Sequence, residues 1–297
     1  MTSPAGAIAP GSRPILLRHD HTPDVCFVLF HGLTNAPPQY GPLAAQLHAA
    51  GANVYVPLLP HHGLADVMTP LQARLTAAAL GHAANEAVDT AHGLGRRVVV
   101  AGLSMGGVIA GWIAQHRADV SAAIPFSPVF SIVRLPLRLV PIAAPLLSRG
   151  PNLFLWWDPV NRAKYVPPHA YPRLSTRALG QVLRLSADVY AAARRTPPAT
   201  RRITVVINDR DPALNNAAPA QIAQLWAARG ADVTVHHFGR DLPRLPRLHE
   251  IVDPGLTAFD DVRRELVFPH LVPIILRTAG IDPPEPVPAP RPVSTAS

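Results

Sequence analysis

The 297-residue chain has one cysteine, Cys26, and one lysine, Lys164. A single thiol excludes an internal disulfide, so an apolar core must hold the fold; it also suits a reducing compartment, and a cytoplasmic location is expected. The opening residues, MTSPAGAIAPGSRP, lack the basic segment and apolar run of a secretory signal. Long apolar runs are scarce too. The longest uncharged apolar stretch, 98–115, approaches the length of a membrane span. Gly102, Ser104, Gly106 and Gly107 interrupt it, and its first half is β-branched, so a buried strand, turn and helix are expected instead. Metal-ligand clusters, a Gly-rich phosphate loop and a dinucleotide fingerprint are missing, and no metal or cofactor is expected. Zinc-finger spacing, an RNP-like strand and a basic helical stripe are missing as well, which argues against a nucleic-acid partner.

What remains is a hydrophobic content of 48%, enough for a sizeable core in one large α/β domain or two small ones. The formal charge is +8 and unevenly placed. Between Arg134 and Arg202, twelve Lys/Arg face only Asp158 and Asp188, so this stretch is strongly basic and the rest slightly acidic. Such a patch is either a solvated arginine-biased surface or a contact for anions, with an anionic membrane as the partner to consider.

Along the chain, apolar runs suited to buried strands fall at 15–17, 25–30, 53–56, 97–101, 120–125, 203–207 and 233–238. Helical spacing falls at 37–50, 71–92, 105–115 and 221–229, with a last helix starting near residue 257. The alternation predicts a mostly parallel, doubly wound α/β sheet covered on both faces. It stops between 126 and 200, where the chain is Pro-rich, aromatic and basic and short helices are expected. The expected organisation is a core of 22–125 and 201–281, an inserted cap of 126–200, and a disordered tail of 282–297 that carries six prolines.

The stretch VVVAGLSMGGVIAG, 98–111, places one hydroxyl between glycines where a strand turns into a helix. A serine hydroxyl is a weak nucleophile and needs a base within hydrogen-bond reach. A sharp strand-to-helix turn exposes it at the tip and leaves room only for small neighbours two positions away, here Gly102 and Gly106. The helix start also aims N–H groups at the same spot, where negative charge would develop.

These residues resemble the nucleophile turn of serine hydrolases of the α/β-hydrolase superfamily, and more narrowly of bacterial carboxylesterases and monoacylglycerol-lipase-like enzymes. The likeness extends over FVLFHGLTNAPPQYGPLAAQLHAAGANVYVPLLPHHG (27–63), GLSMGG (102–107), VVINDRDPALN (205–215) and LHEIVDP (248–254). It leaves 126–200 uncovered, where such enzymes carry a variable cap. The resemblance implies Ser104 as nucleophile, a late histidine as base and an acid at the end of the strand reaching Ile207. His249 matches the family's loop position, whereas His236 and His237 lie mid-strand. Asp211, before Pro212, fits the acid better than Asp209, and the order Ser104, Asp211, His249 agrees with the family's. The oxyanion donors would be the backbone N–H groups of Leu33 and Met105, with His31 shaping the loop. Within 145–157, the aromatic residues Phe154, Trp156 and Trp157 are candidates for a substrate pocket or for cap packing. The expected activity is cleavage of small-molecule carboxylic esters, of short to medium acyl chain or monoacylglycerol-like, through an acyl-enzyme. Thioesterase or lysophospholipase action on the same triad is the nearest alternative. A catalytically silent binding scaffold is the alternative from another class. A serine at this turn argues against the haloalkane dehalogenase and epoxide hydrolase branches, which need a carboxylate there. Oligomeric state is left open.

Overall fold

The apolar runs at 25–30, 97–103 and 122–126 become strands whose side chains are buried along their whole length except at Arg97. The computed structural model describes residues 6–160, 169–253 and 262–283. Its strands in chain order are β1 (Ile15–Leu17), β2 (Val25–Phe30), β3 (Asn53–Val56), β4 (Arg97–Leu103), β5 (Ala122–Phe126), β6 (Phe154–Trp156), β7 (Arg173–Ser175), β8 (Arg202–Ile207) and β9 (Asp232–His237). Its α-helices are α1 (Gly41–Ala49), α2 (Ala77–His92), α3 (Met105–His116), α4 (Val140–Arg149), α5 (Thr176–Ala193), α6 (Ala217–Ala227), the single turn α7 (Phe238–Asp241) and α8 (Phe268–Ala279).

Seven strands form one sheet in the order β1-β3-β2-β4-β5-β8-β9. Every neighbouring pair is parallel except β1–β3, so β1 is an antiparallel edge lying before the expected core boundary at residue 22. Neighbouring side chains on a strand point to opposite faces, and both faces are apolar. Cys26, Val28, Phe30, Val98 and Val100 pack under Leu80 of α2, Ile109 of α3, Val182 of α5 and Ile222 of α6. Val25, Phe27, Leu29, Val99, Ala101 and Leu103 pack under Leu43 and Leu47 of α1 and Leu271 and Ile275 of α8. This two-sided burial explains why the strands read as continuous apolar runs. The pairs Phe30–Gly102, Leu103–Phe126 and Phe126–Val206 align the C-terminal ends of β2, β4, β5 and β8 at one rim. His31, Ser104, Ser127 and Asn208 follow on that rim.

Several expected boundaries move for local reasons. The helix expected at 71–92 is a 3-10 turn (Leu71–Arg74) followed by α2, because Thr76 caps the second piece by accepting the Ala79 N–H at 3.1 Å. The helix expected from 37 begins as a 3-10 turn at Pro37–Tyr40. The segment 126–200 contains more than short helices. Its β6–β7 hairpin and α4 precede α5, which runs 18 residues and contributes Val182, Leu183, Val189 and Ala193 to the same core as the sheet. Ser175 caps α5, and Gly180 lets α4 approach so closely that a Cβ there would come within 2.4 Å of the Ser148 nitrogen. The last third of the segment is therefore part of the layer over the sheet. The helix start expected near residue 257, and residues 284–297 of the expected tail, lie outside the described residues. No helix among the described residues is long and apolar enough to cross a membrane.

Candidate active site

Ser104 stands between β4 and α3 with φ 58° and ψ −111°, a backbone conformation that costs on the order of 1–3 kcal/mol for a residue with a side chain. The turn is held open by bonds on every side. The Ser104 N–H donates to Phe126 O at 3.0 Å, and Ser104 O accepts from Val108 and Val129 at 3.0 and 3.2 Å. The buried Tyr40 hydroxyl donates to Phe30 O at 3.0 Å and accepts from the Leu103 N–H at 2.7 Å, tying the ends of β2 and β4 together. At about 1 kcal/mol net each, these bonds offset the strain. The small neighbours are obligatory. A Cβ on Gly106 would lie 1.7 Å from Phe30 O, and one on Gly102 would lie 2.3 Å from the Gly106 backbone. Met105 opens α3, where the first N–H groups have no carbonyl one turn earlier to receive them.

β8 ends at Ile207, and the next four residues separate the two candidate acids. His249 Nδ1 donates to Asp211 Oδ2 at 2.5 Å, whereas Asp209 Oδ1 accepts from Nδ1 of His237 at 2.9 Å. The geometry thus pairs His249 with Asp211 and commits Asp209 elsewhere. The Asp211 side chain is fully buried, and its Oδ1 accepts the Ala213 N–H at 2.8 Å. Asn208 Nδ2 donates to Leu248 O at 2.6 Å, so the acid turn and the histidine loop are stitched together next to both residues. Since a carboxylate only accepts, His249 carries its proton on Nδ1 and leaves Nε2 as the basic atom. Burial pulls the His249 pKa down, but the charge of Asp211, its hydrogen bond and the charge of Glu250 outweigh this and raise it above 6.5.

The loop 31–35 runs beside the serine: a Cβ on Gly32 would be 3.8 Å from Ser104 Cβ. His31 is fully buried, accepts the Leu59 N–H on Nε2 at 3.1 Å and donates from Nδ1 to Gly32 O at 3.1 Å. Burial and the neighbouring His62 push its pKa well down, so it is a neutral loop brace. His62 donates from Nδ1 to Pro60 O at 2.8 Å, and burial lowers its pKa to about 4. These contacts agree with the loop-shaping role expected of His31.

Of the three aromatic candidates, Trp157 reaches the site. Its ring stacks on His249 with centroids 6.4 Å apart and planes 19° apart, and its Nε1 donates to Thr34 Oγ1 at 2.9 Å. Phe154 and Trp156, on the other face of their strand, face the Arg173 guanidinium at 4.1 and 5.9 Å. The structure also brings in residues that sequence reasoning missed. Gln39 and Glu250 bridge the loops at 2.6 Å, and His169 pairs with the buried Asp253, four residues after His249. A charged residue directly beside His249 was the only sequence signal for Glu250. Gln39 gave none.

A parallel sheet wound on both sides, with its reactive groups gathered where the strands end, defines the broad class. A family model described as the alpha/beta hydrolase family matches residues 27–270, and the chain belongs to that family. A comparison with curated protein sequences finds no match. Among solved structures, one described with the metagenome-derived lipolytic enzymes LipS and LipT aligns at 18% identity, covering 91% of this chain and 99% of that one, with a TM-score of 0.64. The monoacylglycerol lipase of Paleococcus ferrophilus aligns at 19% identity over 89% and 98%, with a TM-score of 0.62. Est1E of Butyrivibrio proteoclasticus with bound ferulic acid aligns at 18% over 90% and 95%, with a TM-score of 0.57. At these identities the likeness is one of fold.

Proposed function

We propose that the protein is a serine hydrolase of small-molecule carboxylic esters. The observation that carries the reading is the His249–Asp211 hydrogen bond, which fixes the imidazole tautomer at the rim where Ser104 is held in its strained turn. His249 Nε2 takes the Ser104 proton as Oγ attacks the ester carbonyl. The oxyanion accepts from the N–H groups of Leu33 and Met105. The alcohol leaves with the proton from His249, and water then hydrolyses the acyl-enzyme by the same route. The reading needs no metal or cofactor. Trp157, 41% exposed and stacked on His249, supplies an apolar wall for the acyl or alcohol group. A series of nitrophenyl esters of increasing acyl length, run beside the matching acyl-CoA thioesters, tests it. Ester turnover with an optimum at short to medium chains is the expected result. Preference for the thioesters would move the assignment to thioesterase, and no turnover of either would favour a binding scaffold.

A second observation bears on how substrate is presented. Along α4 and the residue before it, Leu139, Ile142 and Leu146 form one exposed stripe, with Ile142 64% and Leu146 70% accessible. Arg134, Arg138 and Arg149 flank it within the basic segment. An apolar stripe with cationic neighbours suits the surface of an anionic membrane. Co-sedimentation with vesicles containing phosphatidylglycerol should be strong at low salt, fall as salt screens the arginines, and be lost in Ile142→Asp/Leu146→Asp with turnover of a soluble ester unchanged. Equal pelleting of that variant would remove the membrane from the reading.

A further inference from the structure

Gln39 and Glu250 connect the two loops that flank Ser104, and the polarity of each bond between them is fixed. Glu250 Oε1 accepts the N–H groups of Val252 and Asp253 at 2.8 and 2.9 Å. Its Oε2 accepts from Gln39 Nε2 at 2.6 Å and, more distantly, from Asn35 Nδ2 at 3.5 Å. Because a carboxylate offers only acceptors, the buried Gln39 amide has one usable orientation. Its Nε2 faces Glu250, and its Oε1 accepts the Gly32 N–H at 2.8 Å. The next peptide is held as well. Gly32 O accepts from His31 Nδ1 and from the Asn35 N–H, each at 3.1 Å. In a trans peptide the Leu33 N–H points opposite to that carbonyl. Both peptide planes before Leu33 are therefore clamped, one of them through Glu250, the residue after His249.

We propose that Gln39 and Glu250 are a positioning pair that holds the Leu33 N–H and the His249 loop in register, so that the oxyanion donor and the base are set before substrate arrives. The inference rests on the assignment of Leu33 and His249 above. Neither member of the pair touches the reacting atoms; both act through hydrogen-bond polarity, and polarity can be exchanged.

In Glu250→Gln, an N–H must face another N–H wherever the new amide turns: toward Gln39, toward Val252 and Asp253, or, if Gln39 flips, at Gly32. Removing an oxyanion donor outright costs about 100- to 1,000-fold, so displacing one should lower kcat by roughly 30-fold, with KM changed less than about threefold. Gln39→Glu sets two carboxylates face to face and should be impaired at least as much. In the double variant Gln39→Glu/Glu250→Gln the pattern is complementary again. The carboxylate at position 39 accepts from the Gly32 N–H and from the amide at position 250, whose oxygen takes the N–H groups of Val252 and Asp253. Its kcat should return to within about fivefold of wild type, a coupling that independent sites do not show. A double variant as slow as the product of the singles, or a Glu250→Gln protein with wild-type kcat, overturns the proposal. Should a single variant fail to fold, a folded and active double variant still supports the pairing, and an inactive one rejects it. Wild-type turnover, measured alongside and compared with Ser104→Ala, separates the two levels. Loss of serine-dependent turnover in wild type defeats the site assignment itself, whereas failed rescue with an active wild type defeats only the pair.

Discussion

Asp211→Asn is expected to lower kcat on an ester by roughly 1,000- to 10,000-fold, the size of effect seen when the acid of a serine triad loses its charge. The geometry says why so small a change matters. Asp211 Oδ1 is already occupied by the Ala213 N–H at 2.8 Å. The amide oxygen of the variant will keep that bond, because turning it away would set two donors against each other. Its nitrogen then faces His249 Nδ1, where Oδ2 now accepts at 2.5 Å. The imidazole must present a lone pair there and move its proton to Nε2, the atom needed as base. The pH profile should move as well. In wild type, burial lowers the His249 pKa, but the charge and hydrogen bond of Asp211, with the charge of Glu250, raise it above 6.5 overall. Activity through neutral His249 therefore rises with pH across a limb centred above 6.5. With Asp211 neutralised, the burial contribution remains while the largest opposing cause is gone, and the limb should shift to lower pH. Asp209→Asn should leave kcat close to wild type, because Asp209 serves His237. If the two aspartate variants exchange behaviours, the acid has been misassigned.

Ser104→Ala should reduce turnover by on the order of 10⁵-fold or more, the scale on which a triad nucleophile acts. The fold should survive. The turn depends on the backbone bonds of Ser104 to Phe126, Val108 and Val129 and on the tight approach at Gly102 and Gly106, none of which uses the hydroxyl. Alanine at φ 58° carries the same strain as serine. The melting temperature should thus stay within a few degrees of wild type, which separates lost chemistry from lost structure. A variant that keeps a tenth of the wild-type rate while remaining folded would mean that another group attacks the ester.

The sheet was legible because its strands are buried on both faces and so read as unbroken apolar runs; β2 and β3 fall where the sequence places them. The turn at Ser104 was legible because steric exclusion leaves a mark in residue type: no Cβ fits at positions 102 and 106, and both are glycine. The preference for Asp211 over Asp209 had a single local mark, the Pro212 that follows it, and the partner of each carboxylate left none. Only where the chain reverses does each aspartate find its own histidine, His249 for Asp211 and His237 for Asp209. The extent of α5 was hidden for a different reason. Its burial depends on packing against α3 and α4, and the Pro-rich residues before it suggested only short elements. Gln39 and Glu250 were illegible because their meaning lies in which atom donates to which, across 211 positions of sequence.

The central claim is that Ser104 is the one side chain the site makes nucleophilic, and covalent trapping tests it most directly. Wild-type protein treated with a fluorophosphonate should gain a single adduct by intact mass, located by fragmentation on Ser104, and the Ser104→Ala protein should gain none. An adduct on another residue, or equal labelling of the alanine variant, would contradict the account.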